Sequence, residues 1–254
     1  MNHVTAALRT AKARLVVIGN GMAGMRTVEE ILNRAPDKYD ITVFGAEPRV
    51  NYNRIMLSPL LSGEKNFDEI VINTPEWYTE NNIHLYSGDP VVKIDRDRKV
   101  VISKSGTETE YDQLLLATGS DPIIIPVPGH KLDGVVTFRD VDDVDTMLGA
   151  AAKGGPAVVI GGGLLGLEAA VGLQSRGMDV TVLHLAGHVM ERQLDPSAGY
   201  LLAQELERRG ITVITEADTA EIVGSENVTG VRLKDGRMIP ADLVVMAVGI
   251  RPNG

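Results

Sequence analysis

Apolar positions in this chain gather into short unbroken runs that end in glycine, set between stretches of helical period. Leu15–Ile18 (LVVI) is apolar throughout, the pattern of a strand covered on both faces of a parallel sheet. Met25–Asn33 follows with a helical period and Ile41–Phe44 is a second apolar strand, so the opening reads β–α–β. Ile83–Tyr86, Pro90–Ile94, Lys99–Ser103 and Glu110–Ala117 predict strands, two of them joined by a turn at Asp95–Arg98. Thr74–Asn81 predicts a short helix with Thr74 as N-cap and Pro75 at the first helical position. Pro122, Pro126 and Pro128 favour extended backbone and mark Ser120–Gly134 as a linker. A helix over Asp140–Ala152 leads to a second β–α–β unit: a strand from Ala157, the helix Leu165–Arg176 stopped by Gly177, and the strand Val180–His184. The helix Pro196–Arg209, stopped by Gly210, and strands at Ile211–Thr215, Glu221–Val223, Val228–Leu233 and Leu243–Ala247 complete the pattern. Pro48–Gly63 has neither period over its first half and reads there as a polar loop.

The glycines turn this pattern into chemistry. Arg14–Gly24 reads RLVVIGNGMAG, and Gly19, Gly21 and Gly24 fall between the first strand and its helix. Three glycines so placed serve a tight turn, a close backbone approach to a diphosphate, and close packing of helix on strand. The helix that opens at Met22 and Ala23 offers its free N–H groups and positive dipole end to that anion. Pro156–Glu168 reads PAVVIGGGLLGLE, with Gly161, Gly163 and Gly166 in the same places and Leu164 and Leu165 opening the helix. A second correspondence, YDQLLLATG (Tyr111–Gly119) against ADLVVMAVG (Ala241–Gly249), closes each copy with an apolar strand running into glycine. The expectation is an α/β protein with two Rossmann-like, three-layer nucleotide-binding domains, each with a small β-meander. Ligands in such sheets collect beyond the strands' carboxyl ends, which makes Ala117, Thr118, Gly119 and Gly249 candidate contacts. For Thr118 a capping or turn role is the alternative. Two sites on one chain imply two cofactors, or one cofactor and its electron donor.

Other side chains bear on the two turns. Glu47 stands at about the distance beyond Gly24, roughly 20 residues, where a ribose-binding acid is expected. Asn51, Tyr52, Asn53 and Arg54 follow it; they form either a polar surface loop or the cofactor's mouth, with Arg54 neutralising phosphate or flanking a redox ring. In the second unit His184 occupies the place where an NAD site carries Asp or Glu, and Arg192 further on either meets a 2′-phosphate or decorates the surface. The absence of Arg beside His184 leans toward NADH. Glu168 either answers the helix dipole, worth about 0.3–1 kcal/mol, or orients a nicotinamide carboxamide.

Composition narrows the classes. The 254 residues suffice for two cores, and an apolar fraction of 44% is ordinary for a globular chain. Net charge is −9 with no basic cluster, which argues against nucleic acid or anionic membrane as partners. Cysteine is absent, which excludes a disulfide scaffold, a CxxC redox pair, a cysteine nucleophile and any iron–sulfur ligation from this chain. No run approaches the ~18 apolar residues of a membrane helix, and the first residues lack a signal-peptide core, so a soluble cytoplasmic protein is expected. No metal site and no catalytic acid or base is expected in the chain.

The two glycine turns, Glu47, the ATG at Ala117–Gly119 and AVGIRPN (Ala247–Asn253) resemble the pyridine-nucleotide-dependent flavoprotein reductases, from Arg14 onward. NYNRIMLSPLLSGE (Asn51–Glu64), FRDVDD (Phe138–Asp143) and HLAGHVMERQLD (His184–Asp195) are most similar to the N-terminal part of the large subunit of assimilatory NAD(P)H-dependent nitrite reductases. Rubredoxin and ferredoxin reductases and NADH oxidases share much of the pattern and remain the alternative; a non-enzymatic nucleotide-binding module is the alternative of another class. The missing cysteine pair argues against the disulfide-reductase branch. The resemblance implies FAD on Gly19, Gly21 and Gly24 with its ribose on Glu47, its adenine on the backbone of Val91, and its flavin side near Asn53, Arg54, Thr118 and Gly119. It implies NAD(P)H on Gly161, Gly163, Gly166, Glu168 and His184. Residues 1–13 read by themselves as a mobile extension, and the resemblance implies an FAD-binding domain over 14–121, an inserted NAD(P)-binding domain over 122–247, and a return to the FAD domain over 248–254. On that reading the chain is C-terminally truncated, binds FAD weakly or not at all, and cannot reduce nitrite alone. Its electron-acceptor module, with iron–sulfur and sirohaem centres, would belong to the same full-length chain, and a homodimer is compatible with the resemblance.

Overall fold

A computed structural model describes residues 12–254; the extension expected over 1–13 lies, through residue 11, outside the described residues. The α-helices among them are α1 (Met22–Arg34), α2 (Leu57–Ser62), α3 (Pro75–Glu80), α4 (Val141–Ala151), α5 (Leu164–Ser175) and α6 (Pro196–Arg208). The chain divides into two compact units. One comprises residues up to Asn53 together with Val71–Gly119 and Gly254; the other comprises Arg54–Ile70 and Ser120–Asn253. The stretch 54–70, expected within the first domain, thus groups by its contacts with the second unit.

In the first unit, β1 (Ala13–Ile18), β2 (Tyr39–Gly45) and β3 (Ile83–Ser87) lie side by side. A meander of β4 (Val91–Asp95), β5 (Val100–Ser103) and β6 (Glu108–Glu110) precedes β7 (Gln113–Leu116), which pairs with β1. The main sheet is parallel throughout, in the order β3-β2-β1-β7. The unbroken apolar run of β1 is explained by its two covered faces. Leu15 and Val17 join Met25 and Val28 of α1, while Val16 and Ile18 join Val101 and Tyr111 on the meander side. Burying each such side chain contributes about 1.5–3 kcal/mol. On the outer face of α1, Arg26 and Arg34 pair with Glu30 one turn away, at 2.6 and 3.2 Å.

The second unit repeats the plan. Its strands are β8 (Ser120–Pro122), β9 (Val135–Thr137), β10 (Pro156–Ile160), β11 (Asp179–Leu183), β12 (Ile211–Ile214), β13 (Thr219–Gly224), β14 (Val228–Leu233), β15 (Met238–Pro240), β16 (Leu243–Met246) and β17 (Ile250–Pro252). A parallel sheet runs β12-β11-β10-β16-β9, an antiparallel meander runs β13-β14-β15, and β8 pairs with β17. Val158, Ile160, Val244 and Met246 face the meander residues Ile222, Val231 and Leu233. Helix α5 is apolar almost all round because it is covered twice, by its own sheet and by α2. The fit with α2 is close enough that a Cβ on Gly172 would stand 2.7 Å from Leu61.

Helix α2 lies in the second half of Pro48–Gly63, beyond the part that reads as a polar loop. Its Leu57, Leu60 and Leu61 are buried on one face, but six residues including Pro59 are too few to display a repeat. Helix α5 begins at Leu164, one residue before the expected start, and so carries Glu168 into its second turn, away from the dipole end.

Candidate functional site

Each unit carries its glycine turn at the carboxyl edge of its parallel sheet, and the two turns share their internal geometry. Gly19 has φ +115° and Gly161 φ +120°, backbone that side chains rarely adopt. A Cβ on Gly19 would stand 2.1 Å from the Ala117 carbonyl oxygen, and one on Gly161 would stand 2.3 Å from that of Ala247. A Cβ on Gly24 would meet the Gly19 oxygen at 2.6 Å, and one on Gly166 would meet the Gly161 oxygen at 1.8 Å. The protein's own packing therefore requires the first and third glycines. The middle ones, Gly21 and Gly163, have nothing within 4 Å of a Cβ, so packing requires neither. What a side chain there would fill is open space in front of a helix.

Those helices are also open in their hydrogen bonding. α1 and α5 have glycine N-caps with no side-chain hydrogen bond, as has the short α2 behind Met56, whereas Thr74, Asp140 and Asp195 cap α3, α4 and α6 with their side chains. The N–H groups of Met22 and Ala23, and of Leu164 and Leu165, thus have no partner inside their helices and face the cradle. Open room, free donors and the positive helix end together suit a diphosphate.

Around the first turn, Asn20 is pinned from both sides. Its Oδ1 accepts from Tyr78 Oη at 2.7 Å and its Nδ2 donates to the Arg49 carbonyl at 3.2 Å. Burial pushes the Tyr78 hydroxyl up to about 12, so it stays a donor. Glu47, just past β2, accepts from Tyr52 Oη at 2.6 Å. Ala117, Thr118 and Gly119 follow β7, whose Leu116 pairs in register with Ile18, so they stand at the same edge as Gly19. Val91 opens β4 and packs on the meander-side cluster. Asn53 ends the first segment of this unit. Arg54 belongs to the second unit, where it donates to the Arg139 carbonyl at 2.8 Å, and Arg139 in turn donates to Ser120 Oγ at 2.8 Å.

The second turn lines a cleft of about 490 Å³, within the ordinary range for small-molecule sites. Its wall includes Gly161–Leu165, His184, Glu191, Thr219, Phe138 and Gly249. His184, only 7% exposed, accepts the Gly162 N–H on Nδ1 at 3.0 Å and so holds the turn from beneath. Its Nε2 then carries the proton, yet it is buried without a hydrogen-bond partner; Glu191 Oε2 lies 3.0 Å away, outside hydrogen-bond geometry. Thr219 Oγ1, also on the cleft wall, is buried and unpartnered. A buried polar atom left unpaired costs about 1–3 kcal/mol, so a polar ligand has something to repay here. Gly249, φ +133°, lies beyond β16 as Gly119 lies beyond β7. Glu168 faces the inserted segment 54–70, accepting from Ser58 Oγ at 2.6 Å. Phe138 and Glu191 lie in stretches that carry the family resemblance, which assigns them no role, and Thr219 lies in none; only the tertiary fold shows their place in the cleft.

The pyridine nucleotide-disulphide oxidoreductase family model matches residues 13–254. The chain belongs to that family. It is 56% identical to the nitrite reductase [NAD(P)H] of Bacillus subtilis over 95% of its own length and 30% of that protein's. It is 47% identical to the assimilatory nitrate reductase electron transfer subunit of the same organism, over 95% of its length and 31% of that protein's. The chain therefore spans less than a third of these relatives. Among solved structures it superposes with a TM-score of 0.89 on an NAD-dependent persulfide reductase from A. fulgidus at 30% identity, covering 94% of this chain and 46% of that one. Within a family named for disulphide chemistry this chain brings no cysteine, so any thiol step would have to be supplied from elsewhere. Among the described residues no helix is long and apolar enough to cross a membrane, and no group of His, Asp or Glu could hold a metal ion.

Proposed function

We propose that this chain is the electron-entry part of an NAD(P)H-dependent nitrite reductase, with FAD on the first unit's glycine turn and NAD(P)H on the second's. The observation that carries it is the middle glycine of each turn, for which protein packing offers no reason and a diphosphate does. A bound flavin would supply the chemistry of taking up a hydride from the nicotinamide and releasing electrons one at a time. The chain's own residues bind and orient. The N–H groups of Met22 and Ala23 would hold the FAD diphosphate, and Glu47, steadied by Tyr52, the adenosine ribose. Gly119 and Thr118 would flank the flavin, and Val91 the adenine. Leu164 and Leu165 would hold the NAD(P)H diphosphate through their N–H groups, and Glu168, held by Ser58, the carboxamide. None of these residues needs to take or give a proton in hydride transfer. The acceptor is a redox module of the full-length protein, which on this reading works in the cytoplasm.

Calorimetric titration tests the reading on the purified chain. NADH should bind at one site per chain, and Gly163→Ala should weaken it while leaving FAD unaffected. FAD, whether its binding is weak or tight, should be weakened by Gly21→Ala alone. Binding of either nucleotide unchanged by its own substitution would remove that site.

A further inference from the structure

In dinucleotide folds the residue just past the second strand is the carboxylate that takes the adenosine ribose, and here that place holds a histidine whose ring is turned inward. His184 spends Nδ1 on the Gly162 N–H and keeps only Nε2, a single N–H donor, so it cannot accept the two ribose hydroxyls as a carboxylate does. The loop beyond it, however, returns Glu191 to the same spot. Glu191 Oε2 lies 3.0 Å from His184 Nε2, its side chain is about a third exposed, and it lines the cleft with Gly162 and Gly163. We propose that Glu191, seven places along the chain from the expected position and 3.0 Å from the His184 ring that fills that position, is the carboxylate that accepts the 2′-hydroxyl of the coenzyme's adenosine ribose.

The proposal rests on the NAD(P)H reading of this cleft and sharpens it to NADH. A carboxylate accepts two hydroxyl donors well and repels a 2′-phosphate of like charge. The other charged groups on the cleft wall are Arg139, Arg192 and Asp218. Asp218 is paired with Lys234 at 2.8 Å, and Arg139 holds Ser120. Arg192 is exposed, and it is the group that would welcome a 2′-phosphate if Glu191 did not govern the subsite.

Calorimetry of the whole chain with NAD+ and NADP+ decides between them, with thermal melts confirming that each variant folds. The wild-type chain should bind NAD+ at least about tenfold more tightly than NADP+. The isosteric Glu191→Gln should raise NADP+ affinity relative to NAD+ by about tenfold, and Glu191→Ala should also weaken NAD+. A wild-type preference for NADP+, or a ratio unmoved by Glu191→Gln, overturns the proposal while leaving the nucleotide reading intact. Binding of neither nucleotide by the folded wild-type chain overturns both.

Discussion

Two alanines placed three residues apart should have opposite effects, and the difference can be worked from the backbone. Gly163 is the N-cap of α5 with φ −84° and ψ −177°, extended backbone that alanine adopts, and its Cβ would meet nothing within 4 Å. Gly163→Ala trades a slightly poorer N-cap against a less flexible unfolded chain, so stability should stay within about 1 kcal/mol of wild type. Gly166 is different, because a Cβ there would stand 1.8 Å from the Gly161 oxygen and 2.9 Å from its carbonyl carbon. Backbone cannot rotate aside as a side chain can, so α5 must lift from β10, at a cost of about 3 kcal/mol or more. For a chain of this size that is a melting temperature lower by roughly 6–12 °C. Binding should rank the other way among folded variants. The methyl of Gly163→Ala would keep the diphosphate from the helix N–H groups, losing charge-assisted hydrogen bonds of about 1.5–3 kcal/mol each, or about 10- to 100-fold in NADH affinity. Differential scanning calorimetry and NADH titration of the two variants make the test. A Gly163→Ala chain that melts and binds like wild type would refute the assignment of that open space to a ligand.

The first unit should repeat the contrast: Gly21→Ala leaves the melt unchanged and weakens FAD, whereas Gly24→Ala, its Cβ 2.6 Å from the Gly19 oxygen, lowers the melting temperature. Ser58→Ala removes the 2.6 Å hydrogen bond to Glu168 and should cost about 1 kcal/mol, a fall of roughly 2–4 °C by calorimetry. Arg14, hydrogen-bonded to Asp112, holds that carboxyl down to about 2 from its ordinary 3.8. A folded value below the unfolded one gives stability that is present above pH 3.8 and lost as pH falls through about 2. Arg14→Met should therefore flatten the acid limb of a melting-temperature profile, and an unchanged limb would show the pair to be inert.

Much of this architecture could be read from residue order because its strands are buried on both faces. LVVI at Leu15–Ile18 and AVVI at Ala157–Ile160 have no polar alternation to blur them, and the glycines after them mark where backbone must approach backbone. What escaped is what only tertiary packing creates. The α2 helix has three buried leucines in six residues, and its contacts with α4 and α5 group it with the second unit, which residue order does not announce. β8 and β17 are three residues each and find one another across most of the second unit, which no local pattern can announce. The placing of the His184 ring depends on a hydrogen bond from Gly162, so residue type alone does not show that this side chain also supports the turn.

The duplication itself separates what the protein needs from what a ligand needs. Both turns set the first glycine against the carbonyl of an alanine past the closing strand, Ala117 or Ala247, and the third against the first glycine's own oxygen. Those constraints would persist in a β–α–β unit that bound nothing, so they carry no functional information. The middle glycine and the missing side-chain cap are shared features that packing does not demand. The missing cap alone is not distinctive, since the short α2 lacks one too, but its joining an open middle glycine in both turns is what points to a ligand. The rims then diverge: Tyr78 and Tyr52 brace the first turn and its acid, while buried His184 braces the second and stands beside Glu191. Identical cradles with different rims are what two different nucleotides sharing a diphosphate would require. Exchanging the rims should therefore alter which nucleotide each unit prefers without abolishing diphosphate binding. Loss of diphosphate binding in a Glu191→Ala chain that still folds would show that the rim, and not the cradle, carries the recognition.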